Sequence, residues 1–215
     1  MTQAVSAPES ASPPGEEKPR SGSIYLALLP WVLFSLIARF DTLTAASVIA
    51  LVGAVVVALP SIRRGRPKSL EIGAIVTFAA FTVAAFIVSD SVADDISRYA
   101  RGIAALVLAL IAFGSLARTP FTEEYARETV PRQFWNSPTF KALNRRITIL
   151  WGFVFLAMVP CHVVAGAIDT RRANTIFNWV IPVALVVWAS KRTAEISDSA
   201  RGEHEAPASA EIPGS

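Results

Sequence analysis

Between Arg20 and Lys191 the chain alternates six long uncharged stretches with short charged ones. The uncharged runs are 21–38, 42–62, 72–89, 102–117, 147–168 and 173–190. A helix crossing the hydrocarbon layer of a bilayer takes about 20 mostly apolar residues, with a range of roughly 17–25. Five runs meet that length, and the fourth, at 16 residues, is borderline. The pattern predicts an all-α fold, a polytopic bundle of six transmembrane helices over residues 21–190. The flanking segments 1–20 and 191–215 are rich in Pro, Ser, Ala and Glu and lack apolar periodicity, so they are expected to be disordered tails.

Within that frame several local features can be read. Only Arg39, Phe40 and Asp41 separate the first two runs, so those helices are expected to be antiparallel neighbours. The second run carries Ala46, Ala50, Ala54 and Ala58 at a spacing of four, and the third carries Gly73, Ala80 and Ala84. Small residues on one face let helices approach closely in lipid, where no hydrophobic force drives them together. A pore lining is the functional alternative for such a stripe, but it calls for polar residues as well. The segment 91–101 reads as a helix start, with Ser91 as N-cap and Asp94 and Asp95 in reach of Arg98. It is expected to run into the fourth span, with Arg98 and Arg101 snorkelling to the headgroups. A divalent-cation reading of Asp90, Asp94 and Asp95 fits no calcium-loop spacing, and the neighbouring arginines oppose it.

Charge then sets an orientation. With six spans, both termini share a side with the second and fourth loops, and that side holds fourteen Lys and Arg near the spans against five on the other. Excess Lys and Arg marks the cytoplasmic side, so both termini are expected to be cytoplasmic. The first residues hold no positively charged n-region, so the first run is read as a retained helix and not a cleaved signal. The pI of 9.3 comes from basic residues in loops beside spans, which reflects membrane orientation and not nucleic acid. The four cations Arg63, Arg64, Arg66 and Lys68 are expected to touch anionic lipid headgroups. The lone cysteine, Cys161, reads as an apolar filler.

The long loop 118–146 holds the most distinctive sequence. Thr122 is placed as the N-cap of a short helix whose first turn carries Glu123 and Glu124, and Glu123 can pair with Arg127. Pro131 should end that helix near Thr129, and Ser137 followed by Pro138 signals a second one continuous with the fifth span. Phe121, Tyr125, Phe134, Trp135 and Phe140 are numerous for a cytoplasmic connection, so the loop is expected at the headgroup level or under the bundle. Phe121, Glu123, Tyr125, Arg127, Phe134 and Trp135 form a candidate docking surface for a membrane or cytosolic protein partner. The plainer reading is a latch that closes the cytoplasmic end. The stretch PFTEEYARETVPRQFWNSPTFKALNRRIT, with ANTIFNWVIPVAL in the last span, resembles an uncharacterised family of bacterial multi-pass inner-membrane proteins, loosely labelled intracellular septation protein-like. The likeness covers under half the chain and implies a membrane setting, with no activity attached.

A second constellation lies inside the membrane. Helices five and six form a hairpin about Asp169–Arg172, so residues at equal depth have numbers summing to about 341. That places His162 beside Asn178 and Pro160 beside Pro182, with Asn174 one turn nearer the surface. Each proline frees the carbonyl four residues earlier, those of Leu156 and Asn178. Polar intramembrane residues usually face the bundle interior and often mark a pathway, so His162, Asn174 and Asn178 form a candidate polar site. Interhelical hydrogen bonding alone is the plainer account, since no acidic residue lies at mid-membrane to form a proton relay. Paired carboxylates within the membrane, histidine clusters, phosphate-binding glycine loops and nucleophile elbows are missing from the sequence, so no enzymatic activity and no cofactor are expected. Two functions stay open: a structural or partner-binding envelope protein, and a small-molecule or proton-coupled transporter or channel.

Overall fold

A computed structural model describes residues 23–38 and 42–205. It is all helical there: α1 (Ser23–Ile37), α2 (Leu43–Arg63), α3 (Ser69–Ile87), α4 (Asp90–Ser115), the short α5 (Phe121–Ala126), α6 (Pro138–Ile168), α7 (Arg171–Thr175), and α8 (Ile181–Glu205). A π-helical turn, Ile176–Val180, joins α7 to α8 without a break, and a 3-10 turn, Arg132–Phe134, lies between α5 and α6. The expectations for residues 1–22, for the 39–41 turn and for 206–215 fall outside the described residues.

Five of these helical segments are long and apolar enough to cross a membrane, and α1 is a shorter apolar helix. Among the described residues the first run is helical over 15, about 22 Å at 1.5 Å per residue. The fourth run gains length for the expected reason, because Asp90–Arg101 is helical and continuous with it. The outer surfaces of the helices confirm the setting. On α2 the inward face is Ala46, Ser47, Ala50, Ala54, Ala58 and Ser61, and Ile49, Val52, Val56 and Leu59 point outward. A helix with small and polar residues inside and large aliphatics outside suits hydrocarbon as its solvent. The chain is a multi-pass membrane protein.

Packing follows from which faces are small. Ala46, Ala50 and Ala54 of α2 share one buried core with aromatic rings: Trp31 and Phe34 of α1 meet Phe78 and Phe81 of α3, with Phe34 stacked on Phe81 at 5.2 Å. The small-residue device expected on α3 is only partly present. Gly73 closes on Ile111 of α4, but Ala80 is exposed and Ala84 half-buried, because Phe78 and Phe81 take the inward face. The other half of the bundle is the α4–α6 seam, where Gly102, Gly152 and Gly166 each let a partner side chain in.

Helix ends show which local signals decide. Ser137 caps α6 by accepting from the Phe140 N–H, with Pro138 at the first position. Asp169 ends α6 in the left-handed region at φ 45°, and Thr170 caps α7 at once. The expected start at Ser91 is two residues late, since Ser89 is the N-cap of α4. Arg98 makes its ion pair with Asp169, at 3.6 Å across the hairpin end, and not with Asp94 or Asp95. Arg101 does not snorkel. It is buried, and its guanidinium donates to the Ser35 carbonyl in the last turn of α1, where the helix dipole favours a cation.

The last helix runs through Glu205, past the point where the sequence reads as tail. Lys191, Arg192, Ala194 and Glu195 favour helix, Arg192 pairs with Glu195 at an i,i+3 spacing, and Ile196 packs on the core. One apolar anchor beyond the span suffices to carry the helix on.

Candidate functional site

Two polar layers stand at opposite ends of the bundle. The first is the intramembrane one. Pro182 has no N–H, so the Asn178 carbonyl loses its usual helical partner and the helix widens there. The Ile181 N–H reaches back five residues to the Ile176 carbonyl, which makes the π turn. Asn178 sits in that turn and is buried. Its Oδ1 is 2.7 Å from His162 Nδ1, and its Nδ2 donates to Asn174 Oδ1 at 2.8 Å. An amide oxygen only accepts, so Nδ1 carries the hydrogen and a neutral imidazole keeps Nε2 as acceptor. The structure thus brings all three sequence-derived residues into one hydrogen-bonded row. Gly102 of α4 packs on the Cβ of His162, which puts Arg101 and its bond to Ser35 in the next helix position. No group of three or more His, Cys, Asp or Glu that could hold a metal occurs among the described residues.

The second layer closes the other end, and the sequence did not reveal it. Lys68, placed on the lipid surface by its neighbours in sequence, is buried. Its ammonium lies 2.6 Å from Glu128, 3.9 Å from Glu71 and 4.2 Å over the Tyr125 ring. Ser61 donates to the second oxygen of Glu71. Glu124 reaches from α5 to the start of α3, where it accepts from both the Ser69 N–H and the Ser69 hydroxyl at 2.7 Å. Lys68 offers no side-chain cap to α3, so a carboxylate from another helix satisfies a donor at the positive end. The one local signal is the Lys68–Glu71 spacing of three, which allows that pair but says nothing of α5.

The six candidate docking residues divide accordingly. Phe121, Glu123 and Tyr125 are buried in this cap, and Arg127 is held by Glu123 at 2.6 Å, the pair the spacing predicts. Only Phe134 is exposed. Trp135 is half-buried, donates to the Val130 carbonyl at 2.8 Å, and lies between the guanidiniums of Arg127 and Arg132 at 5.2 and 5.7 Å. Thr122 is not the N-cap of α5. Pro120 is, and the Thr122 hydroxyl turns inward to the Asn144 carbonyl and Thr148, joining α5 to α6. The helix stops at Ala126 and a turn continues to Thr129.

Burial holds the Glu124 carboxyl above the ordinary carboxylate range, against the lowering effect of its two bonds from Ser69. Burial also pushes the Tyr125 phenol up, so it stays protonated. A carboxyl whose folded value is raised stabilises the fold most at low pH and loses that contribution as pH rises through the raised value. The cap is therefore expected to loosen as pH rises above the ordinary carboxylate range, with the slope reduced in Glu124→Gln. Hydrogen exchange over 119–130 as a function of pH is the measurement; an opposite slope in the wild type would sink it.

No protein-family model, no curated protein and no solved structure matches this chain.

Proposed function

We propose that the chain is a six-span protein of a bacterial inner membrane with both termini in the cytoplasm, serving as a structural or partner-binding component of the envelope. The resemblance of its loop and last two helices to uncharacterised bacterial inner-membrane proteins, loosely labelled septation protein-like, adds no activity. The observation that carries the reading is the cap. A long loop tucked into the bundle by Lys68, Glu124 and Thr122, presenting Phe134 and Trp135 at its outer edge, is built as a fixed platform. The excess of Lys and Arg on the side of the cap supports its cytoplasmic placement.

Single cysteines test the threading. At Gly65 and at Ser137 they are expected to be shielded from an impermeant thiol reagent added outside cells, and at Ala93 to react. Labelling at Gly65 or Ser137 from outside would overturn the orientation. A photo-crosslinking residue at position 134 tests the role: a discrete protein adduct is expected, and adducts with lipid alone would remove the partner.

A second reading, a small-molecule or proton-coupled transporter or channel, is favoured by one observation. Single π turns recur at functional sites, and this one holds Asn178 against His162. A chemical site predicts that His162→Ala abolishes uptake with the folded amount unchanged. Interhelical bonding predicts instead a loss of about 1–3 kcal/mol in His162→Ala, from leaving Asn178 partly unpaired, and recovery in His162→Leu with Asn178→Leu. Stability of the purified single and double variants decides between them.

A further inference from the structure

We infer that the cavity of about 240 Å³ between α1, α5, α6 and α8 is a lipid site, taking one acyl chain and its ester carbonyl from the surrounding leaflet. This stands independently of whether Phe134 and Trp135 hold a protein partner.

Three observations lead there. The first is depth. Among the lining residues, Ile24 lies at the start of the first uncharged run, Ile147 opens the fifth and Ser190 ends the sixth. The cavity therefore sits where hydrocarbon gives way to the charged zone, the level of lipid glycerol esters. The second is size and wall. At 240 Å³ it is smaller than the roughly 300–1,000 Å³ of sites that enclose a whole small molecule. Its rim is open at the exposed Tyr25 and Thr129, so it suits part of a molecule whose remainder lies in the bilayer. Leu28, Ile147, Trp151 and Phe155 give it an apolar wall.

The third is an unmet donor. Tyr125 lines the cavity and is 6% exposed, and its buried hydroxyl has no hydrogen-bond partner among the described residues. Buried hydroxyls rarely go unpaired, so an acceptor belongs there. That acceptor is neutral. Lys68 over the Tyr125 ring is already engaged by the carboxylates of Glu71 and Glu128, so no cation is left over for an anion. An ester carbonyl on a hydrocarbon chain meets the donor, the wall and the depth together. Water meets only the donor.

The test uses the full chain with Trp31, Trp135, Trp179 and Trp188 replaced by Phe, leaving Trp151 as reporter inside the cavity. The protein is placed in bilayers of phosphatidylcholine brominated on the acyl chain close to the ester, and compared with unbrominated bilayers. Trp151 is expected to lose most of its emission to the bromines. Ala126→Phe, which fills the cavity, is expected to restore most of it. Tyr125→Phe keeps the shape but removes the donor, and is expected to weaken quenching; it also serves if Ala126→Phe does not fold. Quenching absent from the parent protein means water only and overturns the inference. So does quenching of equal strength in the parent and both variants, which would place the bromines on the outer face of the bundle.

Discussion

Lys68→Met is expected to lower the stability of the folded bundle by about 3 kcal/mol, at the low end of what breaking a buried ion pair costs. The low end applies because Glu128 keeps 30% of its side-chain surface in solvent, whereas Glu71 keeps only 5%. Most of the loss comes from Glu71, left buried with the Ser61 hydroxyl and without a cation at hand. That assignment has a signature. Adding Glu71→Gln removes the stranded charge while keeping an oxygen for Ser61, so Lys68→Met with Glu71→Gln should be more stable than Lys68→Met alone. Adding Glu128→Gln should recover less, since water already serves that group. Reversible unfolding of the three proteins in the same detergent and lipid mixture measures this. Equal stability of wild type and Lys68→Met would mean that the ammonium reaches solvent and the cap is held by Glu124 and Thr122 instead.

The same residue shows where sequence reading stops. Span positions were legible because charge is excluded from hydrocarbon, and that signal is independent of how helices pack. The hairpin row was legible for a related reason. A two-residue turn fixes the register of α6 against the last helix, so depth could be counted and His162 met Asn178. Lys68 was not legible. Its neighbours Arg63, Arg64 and Arg66 are exposed, and composition treats four cations in nine residues alike. What separates them is the return of α5 beneath α3, a contact between segments about 55 residues apart that no local pattern encodes. The docking loop was legible in part: aromatic content announced apolar surroundings at Phe121, Tyr125 and Phe140 and left open bundle, lipid or partner. Arg101 completes the series. An arginine at a span boundary ordinarily snorkels, and only the end of α1 beside it provides the alternative acceptor at Ser35.

Glycine substitutions in the seam between helices should differ in sign, and distance alone does not order them. Of Gly73, Gly152 and Gly166, an added Cβ comes closest to another atom at Gly73, where it meets Ile111 Cδ1. That atom ends a flexible side chain, so Ile111 can turn aside. An alanine in a helix interior gains roughly 0.5–1 kcal/mol over glycine, so Gly73→Ala is expected to be neutral or slightly stabilising. At Gly166 the new methyl would lie 2.9 Å from Tyr99 Cε1 and 3.1 Å from the Arg98 carbonyl oxygen. The carbonyl belongs to the backbone of α4 and cannot rotate away, so α4 and α6 must separate. Overpacking of this kind costs about 1–3 kcal/mol, and separation here also strains the Arg98–Asp169 pair at the same end. Gly166→Ala is therefore expected to lose about 2 kcal/mol net, and Gly166→Leu more. Gly152→Ala should fall between, since its nearest contact is the Phe113 ring at 2.8 Å, a side chain, but that ring is braced edge-on by Phe153. Thermal unfolding of the three alanine variants in one lipid mixture gives the order. If Gly73→Ala proves the most damaging, the seam is as rigid at side chains as at backbone, and the close approach of α4 to α6 has no special standing in holding this bundle together.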